Sequence, residues 1–257
     1  MAVHRSSEAF VDAILPLLPG TQTERDRFRT LVETLAAWKP LFAGRRILDF
    51  GASWGTSMVA LLLLGSKEVI GVEPDGDRVK KGQAFLAEIA PSELLTLLHT
   101  PETASLPFSE GEFDFVLVNA VMEHTPQPRD AYVRELWRVL SPGGHLMVNE
   151  TPNKYFPKEV HTTHLWFNHC LPSRIAHRRA VRRGRFPATR TDWISSGWRG
   201  LGYYELTRSC PGYRLVPENS GVRHRILGRL GLPASLLDPY PTWVLRKASS
   251  VPKSPEP

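Results

Sequence analysis

Between residues 46 and 149 the chain repeats one pattern, a short apolar run followed by a turn and then, in most cases, a longer stretch with helical spacing. Arg46 to Phe50, Glu68 to Val72, Leu94 to Leu98, Phe113 to Val118 and His145 to Asn149 read as strands. Thr56 to Leu64, Asp77 to Ile89 and Arg129 to Leu140 read as helices. Apolar strands separated by helices predict a parallel sheet covered on both faces, an α/β architecture. At 257 residues, 42% hydrophobic and 23% charged, the chain has the length and composition for one large globular domain with extensions. Its longest apolar run, Met58 to Leu64, is too short to cross a bilayer.

Helices are expected before the pattern begins. Ser6 to Leu18 carries Phe10, Ile14, Leu17 and Leu18 on one face and stops at Pro19-Gly20. Asp12 interrupts its apolar stretch and no small-residue cleavage site follows, so it reads as an amphipathic helix and not a signal peptide. Thr23 suits the N-cap of a second helix with Phe28, Leu31, Leu35 and Trp38 at helical spacing, closed by Pro40 and Gly44. From Pro152 to about Gly200 the alternation breaks down into aromatics, histidines and arginines, read as an insertion over the site. Tyr213 to Val216 and Thr242 to Leu245 look like two more strands, with a short basic helix from His224 to Leu230 between them. The expected division is a helical cap at 1–40, a ligand-binding core at 41–152, a lid at 153–200, sheet-completing strands at 201–248 and a frayed tail at 249–257.

The strand Ile47-Leu48-Asp49-Phe50 runs directly into Gly51-Ala52-Ser53-Trp54-Gly55, and a helix follows. A glycine turn at that place lets backbone approach a ligand, and the helix N-terminus beyond it favours a carboxylate. Glu73, ending the second strand, is placed to accept from ribose hydroxyls. These features alone fit a dinucleotide as well as an adenosyl compound. Spacing separates them: a G-x-G-x-x-G fingerprint from Gly51 would need glycines where Ser53 and Thr56 stand.

The series Asp49, Gly51, Ser53, Gly55 instead resembles the D-x-G-x-G-x-G motif of class I methyltransferases that use S-adenosylmethionine, with serine in place of the second glycine. The likeness continues through Glu102 ahead of Leu106-Pro107-Phe108, Phe113 to Asn119, Met122-Glu123-His124-Thr125-Pro126, and Leu136 to Gly144, covering about residues 40 to 152. It implies a doubly wound Rossmann-like sheet of seven strands in the order 3-2-1-4-5-7-6 with strand seven antiparallel. It also implies that Asp49, Gly51, Ser53, Gly55, Glu73, Glu102 and Asn119 bind the cofactor, Glu102 near the adenine.

A sulfonium donor is already activated, so the protein has mainly to align the acceptor and exclude water. A hydroxyl acceptor also needs a base. Asn119, Glu123, His124 and Glu150 follow strand ends, and His124 is the expected base, with His161 as its substitute. His161-Thr162-Thr163-His164, with His169 nearby, lacks the helical spacing of a zinc site, so no metal is expected. Asn119-Ala120-Val121-Met122 is not the N-P-P-aromatic motif of nucleobase amino-methyltransferases, and Cys210-Pro211 reverses the Pro-Cys order of the cytosine C5 enzymes. Both differences disfavour a nucleobase acceptor.

Pro152 to Phe156 and Trp166 to Pro172 resemble a loop of small-molecule methyltransferases found with bacterial glycan and secondary-metabolite pathways. From Arg174 to Arg190 seven arginines (174, 178, 179, 182, 183, 185 and 190) occur without an acid, either a solvated lid helix or attraction to an anionic or lipid-linked acceptor at a membrane surface. The expectation is O-methylation of a small molecule or glycan. The rival readings are a dinucleotide oxidoreductase and a non-catalytic module that keeps the pocket. Two cysteines outside any CxxC spacing suit a reducing cytoplasm, with peripheral contact at the membrane's inner face.

Overall fold

The computed structural model describes residues 11–12, 14–18, 22–216, 226–227, 229–230 and 237–249. The helices expected at Ser6 to Leu18 and His224 to Leu230, and the tail from Ser249, fall wholly or partly outside them. The elements are α1 (Gln22–Trp38), β1 (Arg46–Phe50), α2 (Thr56–Leu63), β2 (Glu68–Glu73), α3 (Gly76–Ile89), β3 (Leu95–His99), β4 (Phe113–Asn119), α4 (Asp130–Val139), β5 (Leu140–Asn149), α5 (Ser173–Arg182), α6 (Tyr203–Thr207), β6 (Tyr213–Leu215) and β7 (Trp243–Lys247). The strands form a seven-stranded sheet in the order β3-β2-β1-β4-β5-β7-β6. β1 and β3 pair parallel with β2, whereas β6 and β7 are antiparallel. The fold is the doubly wound sheet that the alternating pattern and the family likeness led us to expect.

Two compact units divide the chain, one of residues 1–117 and 139–145, the other of 118–138 and 146–257. In the first, Ile47, Leu48, Val69, Val72, Phe113 and Phe115 are excluded from water and Phe42 packs on Phe115 at 5.3 Å. Gly71, in the middle of β2, lets that core close. A Cβ there would stand 2.5 Å from the Met58 sulfur of α2 and 2.8 Å from Ala52 in the turn. At the start of β1, Arg46 pairs with Glu68 at 3.2 Å and Glu112 at 3.1 Å.

Three sequence readings shift here. Thr23 lies inside α1, not at its cap. The N-cap of α3 is Asp75, whose side chain accepts from Asp77 N at 2.9 Å and Arg78 N at 3.1 Å. β5 begins at Leu140, five residues before the expected strand, because Gly144 can lie flat where a Cβ would meet the Asp114 carbonyl at 2.8 Å. The turn signal Pro142-Gly143-Gly144 had hidden that half of the strand.

The second unit has a small core of its own where the sequence pattern broke down. Ala176 and Ala180 of α5 pack with Phe186, Trp193 and Trp198. The two tryptophans stack at 4.7 Å, and Trp193 Nε1 donates to Ser173 Oγ at 3.0 Å. Alanines on one face of α5 admit the flat rings, and its arginines point elsewhere. α6, unforeseen in the sequence, spans less than two turns, too few for periodicity to show. Among the described residues no helix is long and apolar enough to cross a membrane.

Candidate functional site

The glycine turn after β1 is built from alternating left-handed residues. Gly51, Ser53 and Gly55 have φ of 75°, 51° and 84°. Glycine adopts this conformation freely, whereas Ser53 pays a steric cost of about 1–2 kcal/mol. α2 starts from Gly55 with no side-chain cap, so its first N–H groups are left for another partner. Glu73 is buried, and both its oxygens are held by backbone, Oε2 accepting from Ser53 N at 3.0 Å and Oε1 from Asp75 N at 3.1 Å. Asp49, 1% exposed, accepts from Ser57 Oγ at 2.5 Å and so ties the end of β1 to the first turn of α2. Burial raises its carboxyl pKa to about 7, an effect that the Ser57 hydrogen bond opposes and the nearby Glu73 charge adds to. α3 comes close to the turn at Gly82, where a Cβ would lie 3.0 Å from the Trp54 carbonyl. Glu102 is exposed, in a turn closed by Ser105 N on its carbonyl.

The second unit contains a carboxylate–imidazole cluster. Glu123, His124 and His161 offer ligand atoms that all lie within 4.8 Å of one another. Glu123 has a fully buried side chain, and burial pushes its carboxyl pKa up. Its Oε2 accepts from Thr151 Oγ1 at 3.1 Å, while Oε1 has no hydrogen-bond partner and faces His124 Nε2 at 3.9 Å. His124 Nδ1 lies 2.8 Å from the Ser195 carbonyl, which can only accept, so Nδ1 carries the proton and a neutral ring keeps its lone pair on Nε2. The His161 ring sits 5.3 Å from that of His124 and directly against Gly197.

Glu159 holds the loop that presents His161. Its buried carboxylate accepts the backbone N–H groups of His161, Thr162, Thr163 and His164 and the Thr163 hydroxyl. The buried guanidinium of Arg129 anchors the other side, donating to the carbonyls of Glu123, Arg199 and Gly200 and pairing with Glu205 at 3.5 Å. Asn119, at the end of β4, accepts from Asn149, which in turn accepts from Thr242.

A family profile described as a methyltransferase domain matches residues 48–148. A demethylmenaquinone methyltransferase of Clavibacter sepedonicus is 31% identical over 144 residues, 56% of each chain. That segment is a class I methyltransferase domain. The family takes S-adenosylmethionine, which decides between the donors that the glycine turn alone left open. A ubiquinone biosynthesis O-methyltransferase of Psychrobacter arcticus is 28% identical over 116 residues, 44% of each chain. An arsenite methyltransferase of Aquipseudomonas alcaligenes is 27% identical over 139 residues, 51% of this chain and 40% of that one. The chain spans about half the length of these curated relatives.

Solved structures share the methyltransferase fold over more of the chain. The geranyl diphosphate C-methyltransferase of Streptomyces coelicolor A3(2), solved with Mg2+, geranyl diphosphate and S-adenosyl-L-homocysteine, has a TM-score of 0.53 at 17% identity, covering 87% of this chain and 79% of that one. The [4+2]-cyclase SpnF has a TM-score of 0.56 at 19% identity, covering 89% and 83%. The domain's own turn fits an adenosyl donor: its backbone passes through left-handed residues, a helix start has no side-chain cap, and a buried carboxylate ends the next strand.

Sequence reading named Glu73, Glu123, His124 and His161 but could not group them. Ser195, Gly197, Thr151, Glu159 and Arg129 were missed. Only Glu159, an acid two residues before His161, carried a local signal. The H-T-T-H histidines do not act as a pair, since His161 turns toward Glu123 and His124.

Proposed function

We propose that this protein transfers a methyl group from S-adenosylmethionine to a hydroxyl of a small-molecule or glycan acceptor, with His124 taking the hydroxyl's proton. When bound, the donor supplies a methyl group activated by its sulfonium. Gly51, Ser53 and Gly55 would hold it through backbone, Glu73 through its ribose hydroxyls, and Asp49, Glu102 and Asn119 would complete the binding set. The observation that carries the acceptor side is His124: Ser195 holds Nδ1, and Nε2 is left with a lone pair beside a buried carboxylate. Such a nitrogen can receive a proton, and Glu123 steadies the imidazolium that results. His161, across the cluster, is the alternative base. The names of the relatives support a small-molecule acceptor, since they include O-methyltransferases and C-methyltransferases of small molecules.

The finer reading is an anionic or lipid-linked acceptor met at a membrane surface, supported by the exposed arginines of α5. The test is turnover on an acceptor extract with labelled donor, alongside calorimetry with adenosylhomocysteine. Glu73→Ala should weaken adenosylhomocysteine by about 1.5–3 kcal/mol, the range for a charge-assisted hydrogen bond. His124→Gln should leave that affinity unchanged and slow turnover by about 10²–10⁴-fold. Unchanged turnover in both His124→Gln and His161→Gln would remove the base and favour an amine, carbon or already ionised acceptor.

A further inference from the structure

Metal-binding imidazoles need one nitrogen with a free lone pair and the other donating to a fixed acceptor. His124 meets both conditions through the Ser195 carbonyl at 2.8 Å. Glu123 adds an oxygen, Oε1, that is buried without a partner and lies 3.9 Å from His124 Nε2, while Thr151 holds the other oxygen. Leaving a buried carboxylate oxygen unpartnered is costly. His161 brings a third donor to the cluster, and all three ligand atoms fall within 4.8 Å. Its position depends on two further features. Glu159 gathers the loop's N–H groups, and Gly197 (φ 81°) leaves the space in which a Cβ would come 2.4 Å from His161 Cδ2 and 3.2 Å from Glu123 Cγ.

We propose that Glu123, His124 and His161 form a binding site for a divalent first-row transition ion, such as Zn2+, with coordination positions left open for an acceptor oxygen. The proposal concerns the same acceptor side and excludes His124 as the base, because an ion on Nε2 takes the lone pair that would receive the proton and acidifies the acceptor hydroxyl in its place. Two imidazoles with one carboxylate suit the borderline ions from Fe2+ to Zn2+ and not Mg2+ or Ca2+, which require mostly oxygen. Ligand bonds near 2.0–2.2 Å would draw the three donors in by small side-chain rotations.

The experiment uses untagged full-length protein, stripped with a chelator and titrated with Zn2+ and with Co2+, in the absence of donor and acceptor. The expected result is one ion per chain, with Co2+ giving visible d–d absorption of a low-coordinate nitrogen–oxygen site. Glu123→Gln and His161→Ala should each weaken Zn2+ by at least tenfold, in variants whose melting and adenosylhomocysteine binding confirm the fold. His177→Ala, which alters a histidine of α5 packed on Phe186 and Trp193 outside the cluster, should leave Zn2+ affinity unchanged. Absence of stoichiometric binding by wild type, or equal binding by all three variants, overturns the proposal. So does turnover that is unaffected by chelation yet still slowed by His124→Gln, a result that leaves the base reading standing. Adenosylhomocysteine binding reports on the donor side whichever way the metal titration falls.

Discussion

Asp49 is buried with a single hydroxyl as its hydrogen-bond partner, close to the buried carboxylate of Glu73. Burial penalises its charged form, so the folded state holds its proton up to about pH 7, whereas the unfolded chain releases it near 3.8. The unfolded state therefore binds fewer protons between these values, and stability from this group falls as pH rises through that window. Asp49→Asn keeps the acceptor for Ser57 but cannot ionise. Thermal melts of the ligand-free protein should show the variant gaining on wild type from about pH 4 to 7, with a constant difference above. A difference that does not change across that range would show that Asp49 is ionised in the fold. Ser53 illustrates the opposite economy: its left-handed backbone costs stability, and its N–H is aimed at Glu73 in return.

Among the elements, β2 and α2 depend on each other through a missing side chain. Gly71 sits in a strand, where glycine is normally a weakness, and the reason is the Met58 sulfur and Ala52 above it. Gly71→Ala should destabilise by about 1–3 kcal/mol in urea unfolding, the cost of overpacking a tight core. Because Ala52 lies in the cofactor turn, affinity for adenosylhomocysteine should drop with it. Wild-type stability in the variant would mean that α2 can move off the sheet at no cost. α5 solves a different problem. Its helix carries so many cations that only Ala176 and Ala180 are fully buried, and the aromatic side chains of Phe186, Trp193 and Trp198 supply the apolar surface it lacks.

Across the whole molecule a net charge of +6 is unevenly spread. Arg174, Arg178, Arg182 and Arg183 are exposed, whereas Arg179 is engaged with the Trp166 carbonyl and is better left intact. Trp166, Phe167, Ile175 and Ile194, also in the second unit, are more than half exposed. Exposed cations together with exposed aromatic and aliphatic side chains match the chemistry of an anionic bilayer surface. Vesicles containing anionic lipid should therefore bind the protein in low salt and release it as ionic strength rises, because the screening length shortens. Replacing Arg174, Arg178, Arg182 and Arg183 with glutamine should weaken the salt dependence while leaving melting within about 1 kcal/mol of wild type, as for exposed surface changes. Equal affinity for neutral vesicles would assign the helix to solvent alone.

Local information was enough for the parallel sheet, the glycine turn and Glu73. Strand and helix periods, φ-permissive residues and an acid at a strand end all act over a few neighbouring positions, so Ile47 to Gly55 reads as a strand and a glycine turn in nine letters. The family likeness then supplied the strand order and the donor. Folding decided the rest. Glu123 and His161 are 38 residues apart in sequence, and Gly197 a further 36, so no period or motif connects them. They meet because Arg129 and Glu159 satisfy the backbone of distant loops, and because Gly197 has no side chain to hold the histidine away. Hydrogen-bond satisfaction and excluded volume are properties of the packed chain, and both are invisible until the loops are closed.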